Sequence, residues 1–216
     1  MQKYARSIML FGEDNFKKIQ KSRVLILGVG GVGSFALDSL YNTGLSDILI
    51  VDYDVYEESN QNRQLGSVGN IGRSKVEVLK EKYPKIKILE KKIDQDWISS
   101  FDFEPFDCIL DCIDEVLTKI HLILKCHKKL LSTSGSAKRI DASKLEYISI
   151  WKTYNDPFIR KIRKGLKKRG FSGKYKVVFS PQEPLCEGKG SFEAVTASFG
   201  LMLSSIAIQK IISKNI

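Results

Sequence analysis

Three glycines, Gly28, Gly30 and Gly33, stand in the spacing G-x-G-x-x-G. They lie directly behind the aliphatic run RVLILG at 23–28 and directly ahead of a helix-like stretch, and Asp52 follows Gly33 by 19 residues at the end of a second aliphatic run. A strand, a glycine turn and a helix N-terminus let backbone approach a nucleotide, and the helix dipole favours its phosphates. An acid at the end of the next strand can accept hydrogen bonds from ribose hydroxyls. The glycines alone fit a second reading, tight packing of a helix on a sheet, but strand, turn, helix and acid in this order favour nucleotide binding. The spacing decides the fold more sharply than the ligand, since NAD and ATP both satisfy it.

The rest of the chain supports the same architecture. RVLILG, DILIVD (47–52), KIKIL (85–89), DCILD (107–111) and LLSTSG (130–135) are short aliphatic runs bounded by turn residues and read as buried strands. Between them lie helix-sized pieces, VGSFALDSLYNTG, SKVEVLKEKYP and DEVLTKIHLILKCHKK, the last with Val116, Ile120, Ile123 and Leu124 on one helical face. This alternation predicts an α/β fold, a Rossmann-like, doubly wound, mainly parallel sheet with helices on both faces. After residue 140 the pattern changes to LEYISIW and YKVVFS, expected as an additional antiparallel C-terminal portion, and then to a helical stretch from about Phe192 to Lys214. With no Pro/Gly/Ser-rich linker, residues 1–216 are expected to form a single domain. Its parts are an N-terminal helical segment (1–22), a nucleotide-binding core (23–135) and a substrate-side portion (136–216).

At 216 residues and 43% hydrophobic, the chain can bury a core without disulfides or a metal. Its cysteines, Cys108, Cys112, Cys126 and Cys186, form no C-x-x-C pair, and only His121 and His127 accompany them, so no structural zinc is expected. Gly12, Glu13 and Asp14 interrupt the N-terminal apolar run, and no run reaches the roughly 20 consecutive apolar residues of a bilayer span. A cytoplasmic protein with reduced thiols and no membrane partner is therefore expected. A formal net charge of +10 points to a polyanionic partner, with nucleic acid first.

Past the second strand, ESNQNRQLGSVGNIGRSK places Asn60, Arg63 and Lys75 beside the nucleotide loop. Two fixed cations there suit a triphosphate better than a dinucleotide, although either one taken singly also fits a solvated surface charge. Asp111 and Asp114 flank the end of the fourth strand, where a carboxylate can hold Mg²⁺ against phosphates or cap the following helix.

GVGGVGS, IVDYD, SNQNRQ, GRSK and DCID, in this order and spacing, resemble the ubiquitin-activating-like ATP-dependent adenylating enzymes over about residues 4–135. The resemblance implies ATP and Mg²⁺ as cofactors. It places the nucleotide against the loop of Gly28, Gly30, Gly31 and Gly33 and the D-x-D of Asp52 and Asp54, gives Asn60, Arg63 and Lys75 phosphate contacts, and gives Asp114 the metal. Arg6, in ARSIML, matches an arginine that reaches the partner subunit's phosphates, which implies a homodimer. Members that adenylate the C-terminal glycine of sulfur-carrier proteins usually carry two C-x-x-C pairs, missing here. The N-terminal YARSIMLFG and the late VTASFG are instead similar to a zinc-free bacterial branch, the tRNA threonylcarbamoyladenosine dehydratases. The activity so implied is ATP-dependent adenylation of the threonylcarbamoyl carboxylate on a tRNA, followed by cyclisation with net loss of water. The alternatives are an adenylyltransferase for a ubiquitin-like sulfur carrier, a non-catalytic nucleotide-binding RNA module and an NAD-dependent oxidoreductase.

Two further features bear on partners. Arg160, Lys161, Arg163, Lys164, Lys167, Lys168, Arg169, Lys174 and Lys176 follow one another without an intervening acid, with Phe158, Ile162 and Leu166 at helical spacing beneath them. An anchored cationic helix of this kind suits the phosphates of a folded tRNA, although acidic lipid or an acidic protein surface would accept the same charges. Cys186, in the Gly/Pro/acid-rich PQEPLCEGKG, is expected in an exposed loop and is the candidate reactive thiol. By the same resemblance it would take an activated acyl group or a persulfide from a cysteine-desulfurase-type sulfur partner.

Overall fold

The computed structural model describes residues 2–213, and in it the five earlier aliphatic runs become parallel strands. These are β1 (Arg23–Leu27), β2 (Asp47–Asp52), β3 (Lys87–Glu90), β4 (Cys108–Asp111) and β5 (Leu130–Thr133). The later runs form β6 (Glu146–Ser149) and β7 (Lys176–Phe179). β7 lies parallel to β5, and β6 lies antiparallel to β7 at the sheet edge. The seven strands run in the order β3-β2-β1-β4-β5-β7-β6, the mainly parallel sheet with an antiparallel C-terminal pair that the sequence predicts.

Helices cover both faces. They are α1 (Ala5–Phe11), α2 (Glu13–Lys21), α3 (Gly33–Thr43), α4 (Lys75–Lys82), α5 (Gln95–Ser100), α6 (Val116–Cys126), α7 (Pro157–Lys168) and α8 (Glu193–Ser213). Alternate residues of a strand point to opposite faces, so Val24 and Ile26 of β1 join the core under α2, α3, α4 and α8, while Leu25 and Leu27 join the core under α5, α6 and α7. With both faces covered, β1 and β4 are buried at nearly every position, which is why they read as continuous aliphatic runs.

Several local expectations shift. Gly12 divides the N-terminal segment into α1 and α2. Short α5, with little apolar periodicity to announce it, starts where the Asp94 carboxylate accepts a hydrogen bond from the Trp97 N–H at 2.9 Å. On α7 the buried stripe is Ile159, Ile162 and Leu166, and Phe158 lies half-buried beside it.

α8 also departs from expectation, because its length and composition are sufficient for a membrane span. Small and hydroxyl residues interrupt its aliphatic run and conceal this in the sequence. Those residues are contact positions: Gly200 lies so close to α3 that a Cβ there would stand 2.2 Å from the Val32 carbonyl oxygen, and Ser204 donates to Ser39 Oγ at 2.8 Å. Phe199, Leu203, Ala207 and Ile211 enter the core beside them. Lys214, the expected end of this helix, lies outside the described residues.

The entry to α7 is fixed by a buried ion pair. Arg139 Nη2 donates to Asp156 Oδ2 at 3.1 Å, and its other nitrogens donate to the carbonyls of Gly135, Ala137 and Gln182. Burial pulls the Arg139 guanidinium below its usual value against the opposing effect of Asp156. Asp156 Oδ1 meanwhile accepts from the Phe158 and Ile159 N–H groups and caps α7. Asp156→Ala removes the cap and strands a buried cation, a loss expected to cost about 3–5 kcal/mol. Urea unfolding monitored by circular dichroism measures it, and a midpoint equal to that of the unmodified protein would contradict the assignment.

Candidate functional site

The strand order reverses between β1 and β4, whose outgoing loops part to opposite faces and leave a crevice at the carboxyl edge of the sheet. A cleft of about 590 Å³ opens there. Gly28, Gly30 and Gly31 form one wall, Asp52 and Asp54 the floor, Cys112–Glu115 the opposite side, and Gly135–Ala137 a far wall. The glycine turn is held from below, with Gly28 N–H donating to the Val51 carbonyl at 2.9 Å. Gly33 does not line the cleft. It starts α3 at a point where a Cβ would stand 1.9 Å from the Gly28 carbonyl oxygen, so glycine there lets the turn close onto the helix.

Asp52 ties the turn to β2. Its Oδ2 accepts from the Val29 N–H at 2.8 Å and its Oδ1 from the Asp54 N–H at 3.0 Å, leaving it buried at the strand end. Asp54 Oδ2 lies 2.9 Å from Lys75 Nζ, and Lys75, at the start of α4, is buried apart from the part that lines the cleft. Arg63 also lines it, with Nη1 donating to the Ser59 carbonyl at 2.6 Å and to Asn62 Oδ1 at 2.8 Å. Two cations are therefore fixed beside the glycine turn by local hydrogen bonds.

Asn60 and Arg6 are placed differently. The Asn60 side chain accepts from the Glu57 N–H at 3.1 Å and closes a capping box, and the Asn60 backbone carbonyl receives the Arg63 N–H at 3.0 Å. It shapes the turn that carries Arg63 and does not line the cleft. Arg6 is exposed on α1, also away from the lining.

The two acids that flank the end of β4, Asp111 and Asp114, separate completely. Asp111 is fully buried: Oδ2 lies 2.9 Å from Lys119 Nζ and accepts from Ser132 Oγ at 2.7 Å, and Oδ1 accepts from the Ile113 N–H at 3.2 Å. Tyr175 donates to Ser132 Oγ at 2.6 Å and completes the cluster. Asp114 lines the cleft with its side chain 87% exposed, 3.8 Å from Lys189 Nζ, and Glu115 takes the N-cap position of α6. The sequence reading passed over Lys119. A lone lysine amid VLTKIHLIL carries a signal, because a cation beside Ile120 on a buried helix needs a buried acid.

The 181–191 segment forms the outer rim. Leu185 N–H donates to the Lys138 carbonyl, Lys138 N–H donates to the Gly190 carbonyl, and Asn62 Nδ2 donates to the Ser191 carbonyl at 3.2 Å. Cys186 is exposed on this rim. Burial pushes the Cys112 and Cys126 thiols up to about 12, and Cys108 is buried in β4.

α7 begins at the cleft, where Phe158 packs near Gly135, and presents Arg160, Lys161, Lys164, Lys167 and Lys168 outward, with Arg169 exposed at its C-cap. Arg163 departs from the expected cationic face. Its Nη1 donates to the Thr153 carbonyl and hydroxyl, so it fastens α7 to the preceding segment.

Comparison with known proteins meets the same architecture. The ThiF family model matches residues 4–216. The tRNA threonylcarbamoyladenosine dehydratase of Bacillus subtilis is 31% identical over 196 residues, covering 86% of this chain and 77% of that protein. Its namesake in Escherichia coli is 27% identical over 99% of this chain and 94% of its own length. The crystal structure of the Escherichia coli enzyme in complex with ATP superposes with a TM-score of 0.94 at 30% identity, covering 99% of this chain and 95% of that one, and its AMP complex superposes with a TM-score of 0.92. A family match spanning nearly the whole sequence, with a relative of this identity and coverage, makes the chain a member of the ThiF family.

Proposed function

We propose that this protein uses ATP to adenylate the carboxylate of a threonylcarbamoyl group on a tRNA adenosine and releases the cyclised, dehydrated nucleoside. The observation that carries this reading is the convergence of the glycine turn, Asp52, Arg63, Lys75 and Asp114 on one crevice. The dehydratases similar to it over most of both chains, one of them bound to ATP, support it. The substrate carboxylate oxygen attacks the α-phosphorus and pyrophosphate departs. Attack within the threonylcarbamoyl group on the activated carbonyl then closes the ring and expels AMP. No protein nucleophile is needed for either step.

Asp52 accepts hydrogen bonds from the ribose hydroxyls, with Asp54 holding Lys75 in place, and Arg63 and Lys75 oppose the charge that grows on the phosphates. A Mg²⁺ ion fits this donor set, because it is commonly held by one or two carboxylates together with substrate phosphates and water, and Asp114 offers one exposed carboxylate at the cleft. Bound there, it would neutralise phosphate oxygens. Among the described residues no group of three or more His, Cys, Asp or Glu side chains is placed to hold a metal ion, so Asp114 would act together with the phosphates and water.

Residues 1–216 act as one unit in this reading, with 136–216 on the substrate side. The exposed face of α7 leads tRNA phosphates to the cleft, with Arg160, Lys161, Lys164, Lys167, Lys168 and Arg169 in contact. A homodimer carries Arg6 into the partner's site, supported by Met9 and Leu10, which are 85% and 77% exposed on the same short helix. Cys186, exposed in the 181–191 segment, is the thiol that would meet an acyl group or a cysteine-desulfurase-type sulfur partner. The reaction belongs to the cytoplasm, where ATP and tRNA are available.

Incubation with ATP, Mg²⁺ and tRNA bearing threonylcarbamoyladenosine should convert that nucleoside to a product lighter by one water, read by nucleoside mass spectrometry. ATP binding without AMP release would sink the enzymatic reading, and pyrophosphate exchange that requires a Gly-Gly carrier protein and ignores tRNA would move the substrate to a sulfur carrier. Arg63→Ala should slow AMP formation by on the order of 10²-fold, and an unchanged rate would remove Arg63 from the mechanism. Iodoacetamide at neutral pH should add one group to the native chain, at Cys186, and four after unfolding. Rapid native labelling of Cys112 or Cys126, read by peptide mass spectrometry, would contradict the thiol assignments.

A further inference from the structure

A second cleft, of about 810 Å³, lies at the amino edge of the sheet, opposite the glycine turn. Its walls are the start of β5, the edge strand β6, the 172–176 segment entering β7, and the last turns of α8. His127, Lys128, Lys174, Lys176 and Lys210 line it, and among the described residues no carboxylate does. Two half-buried rings, Tyr147 and Trp151, line it as well. Trp151 Nε1 donates to the Gly173 carbonyl at 2.9 Å, and Lys176 Nζ stands 5.3 Å from the Tyr147 ring centroid. The indole is therefore anchored by its polar edge, which leaves ring surface for contact. Excess positive charge beside fixed rings suits a phosphate joined to a planar base, since stacking on an aromatic ring contributes about 1–3 kcal/mol per base.

The two clefts are connected. α7 starts at the nucleotide cleft with Phe158, and the chain beyond its C-terminal end brings Phe171 within 5.1 Å of the His127 ring. Between these points, 12 helical residues span about 18 Å, with Arg160, Lys161, Lys164, Lys167 and Lys168 exposed along the way. We propose that the amino-edge cleft is a second RNA-binding site. It takes an unpaired nucleotide of the same RNA whose modified adenosine reacts at the carboxyl edge, and so rests on the RNA-substrate reading above. The cations of α7 carry the intervening phosphates, and the spacing of the two clefts selects RNAs long and folded enough to occupy both. A bilayer of acidic lipid matches the charge but cannot place a flat surface against rings recessed between β6 and α8.

The test is tRNA affinity, by fluorescence anisotropy, of the full chain and of Lys174→Glu/Lys176→Glu, two exposed positions at the cleft mouth. The double variant should weaken tRNA binding on the order of tenfold or more and flatten its salt dependence, while the ATP dissociation constant, set at the other edge, stays the same. In the unmodified protein, tRNA should quench tryptophan emission, and Trp151→Phe should abolish the quench, because Trp97 lies in the core. If the unmodified protein binds and dehydrates tRNA while the double variant binds it equally well, the cleft proposal fails and the activity stands. If the unmodified protein neither binds nor dehydrates tRNA, the activity reading fails and the cleft proposal falls with it. Loss of binding to phosphatidylglycerol vesicles with unchanged tRNA affinity would overturn the proposal in favour of a membrane surface.

Discussion

The contact between position 33 and the Gly28 carbonyl oxygen governs the rest of the site. A β-carbon there would be 1.9 Å from that oxygen, so glycine alone allows the turn after β1 to fold back onto the first turn of α3. Once it does, Asp52 can receive the Val29 N–H, and the end of β2 is tied to the turn. The same compactness extends to α8, which crosses α3 at Gly200 and brings Thr196 to the cleft. A nucleotide site at a strand-order reversal thus depends on backbone approaching backbone at two glycines far apart in sequence.

Charge is distributed with equal economy. Lys119 and Arg139 are fully committed to buried acids, Asp111 and Asp156, and each such pair holds a loop at the carboxyl edge. Buried pairs of this kind add little net stability against an apolar replacement, but removing one partner is costly, so they act as positional locks. Exposed cations run along α7 and line the two clefts it joins, and others lie on α2, α4 and the loops around them.

Much of this was legible in the sequence. All seven strands fall on the aliphatic runs; β1 and β4, covered on both faces, are apolar at nearly every position, while the edge strands β3 and β6 mix apolar with polar residues. The cleft residues Asp52, Arg63, Lys75 and Asp114 follow from motif spacing: Asp52, Lys75 and Asp114 sit within a few residues of a strand end or helix start, and Arg63 is carried by the turn that Asn60 shapes. Short α5 escaped because it has almost no periodicity, and α8 was legible as a helix but not its sufficiency in length and composition for a membrane span, because Thr196, Gly200 and Ser204 interrupt its aliphatic run.

By itself the sequence determined the layer architecture, the nucleotide edge and the family, since these rest on periodicity and on motifs read along the chain. Only the tertiary structure decided that Asp111 would be consumed by Lys119 while Asp114 faces the cleft, that Asn60 shapes a turn, that Arg163 points inward, and that a cationic, ring-lined recess forms behind β6. The physical reason is distance along the chain. Asp111 and Lys119 belong to a cluster completed by Ser132 and Tyr175, and the recess draws residues from β5, β6, β7 and α8. Partners that far apart in sequence meet only when the sheet has formed, and no local pattern records which of several similar side chains will find one.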